Sequence, residues 1–224
     1  MLTQYFRSLN DTSLEKVSDY RPGVWVHAEN PSPEEITELA SSLTLDEGLL
    51  TDATDLFEVP RFEYEEKVAY LFTRHIVVSD GETTTAPLLI AVGPGFVVTT
   101  CRSTPAFIHK LIDSEKTPPT THKSKLFIDI MFASTRGFTN ALVTIRREVR
   151  RNRRNIKEIR NKDIIRFVSL EDTLNDFISA LVPTNTALQT MLSGNYLELY
   201  EDDEDLVEDL LLAGTQVIES ARST

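Results

Sequence analysis

From Lys123 to Thr224 the chain holds one proline, Pro183, and three glycines, Gly137, Gly194 and Gly214. Over the same stretch Phe127, Met131, Ser134, Phe138, Leu142, Ile145, Val149, Ile156 and Ile159 recur close to every 3.5 residues. A stripe sustained that far predicts a long helix packed along other long helices, because its apolar seam must be covered for its whole length. Asn161-Lys162-Asp163 predicts a tight break. Ile164, Phe167, Leu170, Leu174, Phe177 and Leu181 then mark a returning helix. After Ser193-Gly194-Asn195, a third helix is carried by Leu199, Leu206, Leu210, Val217 and Ala221. Its stripe is still running at Thr224 without a capping glycine or proline, which reads as a helix cut in mid-course.

The first 122 residues have a different character, mixed α/β, and Thr117-Pro118-Pro119-Thr120 marks the boundary. Val24 to His27 is a short β-type run. Ser32-Pro33-Glu34-Glu35 then predicts a capped helix start, with Pro33 where its missing N–H costs nothing. Ile36, Leu39, Ala40 and Leu43 give that helix one apolar face. A second short helix is expected over 46–55, with Leu49, Leu50 and Leu56 turned inward. Strands are expected at 61–65, 68–78, 88–92 and 96–100. Asp80-Gly81 marks one turn, and Gly93-Pro94-Gly95 a second that calls for unusual backbone angles at its glycines. Thr104-Pro105 is expected to cap a helix over 106–112.

Charge is distributed unevenly. The chain has 23 basic and 35 acidic residues, a net −12 at neutral pH. Yet Ile145 to Arg166 carries ten basic residues against three acidic, and Glu198 to Asp209 carries eight acidic residues and no basic one. Asymmetry of this kind marks surfaces for a partner, a membrane or metal ions. A single cysteine, Cys101, excludes a disulfide framework and a cysteine-based zinc site, and suits a reducing compartment. The longest apolar stretch, Ala86 to Val92, contains Pro87 and falls far short of the ~20 residues a membrane helix needs.

No nucleophile elbow, phosphate loop, dinucleotide fingerprint or H-E-x-x-H motif is present, so no enzyme is expected. Gly93-Pro94-Gly95 reads as an ordinary turn, since Pro94 lacks an amide that a phosphate cradle would need. His27, His75, His109 and His122 are scattered, with no i, i+4 pair. Arg146, Arg147, Arg150, Arg151, Arg153, Arg154 and Lys157 form a positive sector. Nucleic-acid binding is one reading of it, but no aromatic residue interleaves the arginines and the chain is acidic overall. A solvated or partner-facing side of a helical hairpin fits better. Asp202, Asp205 and Asp209 share one helix face, and their alternatives are a solvated helix start or a site for a hard divalent cation.

The order of elements resembles the cytoplasmic part of the CorA family of divalent-cation channels. Trp25-Val26-His27 before a Pro-Glu-Glu helix is similar to the family's early strand and helix. Leu49-Leu50-Thr51-Asp52 through Asp55, followed by Pro60-Arg61-Phe62-Glu63, resembles its L-x-x-D…P-R/K-x-E segment. Tyr70-Leu71-Phe72 and Leu89 through Thr99 resemble the strand and hairpin that follow. The resemblance implies an α+β fold: an αβα sandwich with a mixed sheet (1–122), a long antiparallel helical hairpin (123–195) and a stalk helix (196–224). That stalk would lead into two transmembrane helices.

It further implies the cytoplasmic regulatory domain of a magnesium channel in the inner membrane, a homopentamer that senses cytoplasmic Mg²⁺ between subunits to gate its pore. Co²⁺ or Zn²⁺ are the other cations to consider, the latter through a ZntB-type zinc transporter. The implied metal ligands are Asp52 and, on the stalk of the adjacent subunit, Asp205 or Asp209; no nucleic-acid partner is expected. Two departures from the family stand out. Thr51 occupies a position where some members carry Glu, and the hairpin tip is basic from Arg146 to Lys162, where many relatives are acidic.

Overall fold

The computed structural model describes residues 1–79, 81–154 and 161–224. Seven strands form one sheet: β1 (Leu2–Phe6), β2 (Glu15–Val17), β3 (Val24–Glu29), β4 (Arg61–Glu65), β5 (Val68–Ser79), β6 (Glu82–Gly93) and β7 (Phe96–Cys101). Their order is β2-β1-β3-β7-β6-β5-β4. Only β3 and β7 run parallel, so the sheet is mixed, as expected.

The central strands are buried on both faces, and strand alternation sorts their side chains into two cores. Val24, Val26, Val68, Tyr70, Phe72, Leu89, Ala91 and Val98 face the first. It is closed by α1 (Pro33–Leu43) and α2 (Glu47–Asp52). Trp25, Ala69, Leu71, Leu88, Ile90 and Val97 face the second. It is closed by α3 (Ala106–Ile112), the first turns of α4 (Lys123–Arg154), the last turns of α5 (Asn161–Ser193) and the start of α6 (Glu201–Arg222). The result is the αβα sandwich. α1 begins as its sequence predicts: Ser32 Oγ accepts from Glu35 N, and Glu35 Oε2 accepts from Ser32 N.

The three long helices outrun the sheet. α4 has 32 residues, about 48 Å at 1.5 Å each. Lys123 fixes its first turn by donating to the carbonyls of Gly93 (2.9 Å) and Pro94 (2.8 Å) in the β6–β7 turn. Pairing of Glu148 with Arg166 and of Phe138 with Phe177 shows α5 returning antiparallel to α4. α6 runs parallel to α4, joined near its start through Asp203 and Ser124 and at its end through Arg146 and Ser220. Beyond the sheet the three share a third core around Phe138, Leu142, Ile145, Phe177, Leu181, Val217 and Ile218.

Small and polar residues occupy each helix where one core gives way to the next. Ser134 reaches the Arg74 carbonyl, and Thr184 bonds Thr73 at 3.1 Å. Asn185 donates to Thr215 at 3.1 Å, and α6 carries Gly214 opposite it. A Cβ on Gly214 would come within 2.4 Å of Asn185 Oδ1. Pro183, the one proline inside α5, lies at the same level.

Several expectations need correction. α2 ends at Asp52, three residues early, and Leu56 is exposed, because the chain leaves the helix through tight turns at Thr54 and Asp55. β6 starts at Glu82 rather than Leu88, since the β-branched run Thr83-Thr84-Thr85 extends its ladder with β5. Pro87 is tolerated because β7 pairs with β6 only from Leu88 onward, leaving that side of β6 an edge. Gly93 and Gly95 need no positive φ; what Gly93 supplies is room for the Phe96 ring, which a Cβ would meet at 2.2 Å. Thr104 does not cap α3, whose N-cap is Pro105, because its hydroxyl is engaged by His27. Asn161-Lys162-Asp163 is no break but the first turn of α5. Leu199 precedes α6. Asp80, Ile156, Lys157 and Ile159 lie outside the described residues.

His27 is buried in the sheet, and its hydrogen-bond partners there are uncharged hydroxyls. Trp25 Nε1–H donates to Thr99 Oγ1 (3.0 Å), and His27 Nδ1 is hydrogen-bonded to the same hydroxyl (2.8 Å). His27 Nε2 is hydrogen-bonded to Thr104 Oγ1 (2.9 Å), so both ring nitrogens have neutral partners. Burial pushes its pKa down to about 4 despite the nearby Glu29. Burial lowers the pKa of His75 as well. Below about pH 6.5 the unfolded chain takes up protons that the native rings refuse, so stability falls as pH drops toward 4. For His27 alone the loss is about 3 kcal/mol across that window. Urea midpoints at pH 7.5 and 5 test this: the expected drop at pH 5 is about 2 kcal/mol, and equal midpoints would contradict it.

Candidate cation-binding residues

Asp52 is the last residue of α2, a helix whose start Asp46 fixes by accepting from Leu49 N at 2.8 Å. Leu49, Leu50 and Ala53 anchor the helix to the first core, which leaves the Asp52 side chain half exposed. Its Oδ2 accepts from Arg61 Nη2 at 2.8 Å. Arg61 also pairs with Glu63 (2.6 Å) and Glu58, and its Cζ lies over the Phe72 ring, 3.9 Å from the centroid. Partial burial works against its charge, but Glu63, Glu58 and Asp52 more than offset it and hold the guanidinium above its ordinary pKa. Three carboxylates thus share one tethered cation. Asp52 Oδ1 has no hydrogen bond among the described residues.

The acidic run at the start of α6 looks uniform in sequence and is not uniform in space. Asp203 is buried, with 1% of its surface exposed. Its Oδ2 accepts from Ser124 Oγ at 2.6 Å and from Tyr200 N at 3.4 Å, and lies 3.1 Å from His122 Nε2. The His122 ring also meets Tyr200 edge-on, 4.4 Å between centroids. This cluster joins the start of α6 to the start of α4. Sequence reasoning missed it. Only the i, i+4 spacing from Asp203 to the buried Val207 set it apart from its neighbours.

Asp202, Asp205 and Asp209 are exposed on the outer side of α6. The first turn of α6 is fully acidic, where carboxylates favour the positive end of the helix dipole. Asp52 and the α6 acids lie on opposite layers of the sandwich, so one chain does not bring them together. Among the described residues, no three His, Cys, Asp or Glu side chains are grouped to hold a metal ion. Cys101 is fully buried, and burial pushes its thiol up to about 12, so it is inert.

Among the described residues of the basic segment, Arg146 and Arg166 are engaged within the chain. Arg146 Nη2 donates to the Ser220 carbonyl (2.8 Å) and its Nε to Thr224 Oγ1 (2.9 Å), tying the last turn of α6 to α4. Arg166 grips Glu148 with two bonds of 2.6 and 2.8 Å and holds that carboxyl below its usual pKa. Arg147, Arg150 and Arg151 are exposed.

Asp203→Ala tests the α4–α6 cluster. It leaves the Ser124 hydroxyl and Tyr200 amide without their acceptor, which costs about 1–3 kcal/mol. The expected readouts are a lower urea midpoint and faster amide hydrogen exchange in the first turns of α6. A wild-type midpoint with unchanged exchange would contradict the assignment.

The sequence profile of the family described as "CorA-like Mg2+ transporter protein" matches residues 22–224. Among solved structures, the soluble domain of CorA from Methanocaldococcus jannaschii superposes with a TM-score of 0.85 at 20% identity, covering 100% of this chain and 91% of that one. The complete CorA magnesium transporter of that organism gives 0.83 at 21% identity, over 100% of this chain and 72% of that one. The ZntB cytoplasmic domain from Vibrio parahaemolyticus gives 0.78 at 13% identity, over 99% and 90%. At such identities the likeness is one of fold. Curated protein sequences yield no match. No helix among the described residues is long and apolar enough to cross a membrane. With a family profile spanning all but the first strands, on a sandwich and three long helices shared with CorA, this chain belongs to the CorA-like Mg²⁺ transporter family.

Proposed function

We propose that this chain is the cation-sensing, cytoplasmic part of a homopentameric inner-membrane transporter of divalent cations, with Mg²⁺ as the regulatory ligand. Asp52 of one subunit and Asp205 or Asp209 of its neighbour would hold the ion. The observation that carries this reading is the placement of those carboxylates. Asp52 and the α6 acids are exposed on opposite layers of one sandwich, so a shared ion joins two copies rather than bridging within one. Mg²⁺ keeps most of its water and needs only one or two carboxylates, a demand that Asp52 Oδ1 and one stalk aspartate meet.

The mechanism is one of charge and population. Apposed carboxylates repel, and a cation between them offsets the repulsion and favours the closed arrangement by the difference in its affinity for the two states. Arg61 tunes the site. It already neutralises part of the Asp52 charge, which keeps the unliganded interface tolerable and lowers the affinity for a free cation. The likeness to ZntB makes Zn²⁺ the second cation to examine, and Co²⁺ the third.

Thermal melts and sedimentation, with Mg²⁺ or with NaCl at matched ionic strength, test the proposal. Wild type is expected to gain several degrees and a larger assembly with Mg²⁺. Asp52→Asn should lose most of that response, and Asp205→Asn or Asp209→Asn should reproduce the loss. Equal Mg²⁺ responses in wild type and all three variants would overturn the assignment. A stronger response to Zn²⁺ than to Mg²⁺ would change the ligand.

A further inference from the structure

A cavity of about 670 Å³ opens between the sheet and the helices, on the side of the molecule away from Asp52. Its floor is β5 from His75 to Val78, one wall is the Ser103–Leu111 segment with α3, and the other is α4 from Ala133 to Asn140. Small-molecule pockets fall at about 300–1,000 Å³. Pro105, Phe107 and Leu111 give it an apolar interior, and Lys110 and Arg136 line it with positive charge. No carboxylate is among the described residues that line it, and the two cations, both exposed, have no ion pair among the described residues.

The floor holds a polar atom without a partner. His75 is 2% exposed, and its Nδ1–H donates to the Ile76 carbonyl at 3.1 Å. A carbonyl can only accept, so the neutral ring presents Nε2 as a bare acceptor. That atom is shielded from solvent and has no hydrogen-bond partner among the described residues. Burial lowers the pKa of the ring, which keeps it neutral near pH 7. The Phe107 ring, which lines the same cavity, stands edge-on to the imidazole, 6.4 Å between centroids. A buried acceptor left unpaired is costly and is normally satisfied by protein, water or ligand.

We infer that this cavity binds a small amphipathic organic anion: an apolar or aromatic body with one N–H or O–H donor for His75 Nε2, and an acidic group for Lys110 and Arg136. The cations alone would hold inorganic anions weakly in water, and the apolar walls alone would not select charge. A ligand carrying both satisfies the orphan acceptor and pairs the two cations.

The test uses the full chain and two dyes. 1-Anilinonaphthalene-8-sulfonate has an aromatic body, one N–H and one anionic group, and N-phenyl-1-naphthylamine is the same body and N–H without the charge. The sulfonate is expected to bind at one saturable site. Lys110→Ala combined with Arg136→Ala should weaken it at least about tenfold, as loss of charge-assisted contacts implies, and leave the uncharged dye unchanged. His75→Phe should weaken both. The imidazole ¹⁵N signal of His75 Nε2 in wild type should shift when the sulfonate is added, which keeps the test decisive if His75→Phe does not fold. Absence of a saturable site, equal sulfonate affinity in the double variant, or an unmoved Nε2 signal would each overturn the inference.

Discussion

Two-sided burial of the central strands is the constraint from which the rest of this molecule follows. Val24 to Ala28, Val68 to Phe72 and Leu88 to Val92 present apolar side chains to both faces, so the sheet is unstable until two helical layers cover it. The first layer is short and local, α1 and α2. The second is built from α3 and the ends of helices that run on past the sheet. α4, α5 and α6 therefore have to satisfy two partners along one length: the sheet at one end and each other beyond it. The third core is the consequence. So is the belt of Ser134, Thr184, Asn185 and Gly214 at the changeover, where a helix face that points at a sheet must become one that points at helices.

Charge is used in three distinct ways within one acidic chain. Asp203 is buried and spent on holding two helices together. Asp52 is shared with a guanidinium that two further carboxylates and an aromatic face keep in place. Asp205 and Asp209 are solvated. Only the last two kinds can meet a free cation, and the tethered Arg61 makes them unequal. An arginine held by three acids is removed less readily than a hydrated counterion, so the field around Asp52 is weaker than its composition suggests.

Much of this architecture was legible because several signals agreed locally. The Ser32-Pro33-x-Glu35 box, the alternating strands and the long stripes each named the right element, and the order of elements named the family. What was not legible depended on tertiary partners. Leu56 fits an inward helical position, yet α2 unwinds before reaching it. Thr104-Pro105 has the composition of a cap, but the buried His27 claims the hydroxyl. Asn161-Lys162-Asp163 has the composition of a break, and helix propensity across three polar residues does not distinguish a break from a first turn. Of the proposed site, Asp52 and the stalk acids are expectations from motif order. The Arg61 clamp required β4 to be set beside α2, and the burial of Asp203 among eight acids required knowing which side of α6 meets α4.

Both ends of α6 are pinned to the same neighbour. Asp203 ties its first turn to Ser124, and Arg146 ties its last turn to Ser220 and Thr224, with Val207, Leu210, Val217 and Ile218 packed between. A helix held at both ends against one partner moves with that partner. If a cation draws the exposed face of α6 toward an adjacent subunit, as proposed, the force falls on α4 and α6 as a pair. α5 is joined to the pair along its length, through the Phe138–Phe177 contact, the Arg166–Glu148 pair and the Asn185–Thr215 bond. Any motion that parted α6 from α4 would expose the Asp203 carboxylate and break the Arg146 bonds together, so a pull on the stalk is passed to α4 rather than absorbed between the two helices.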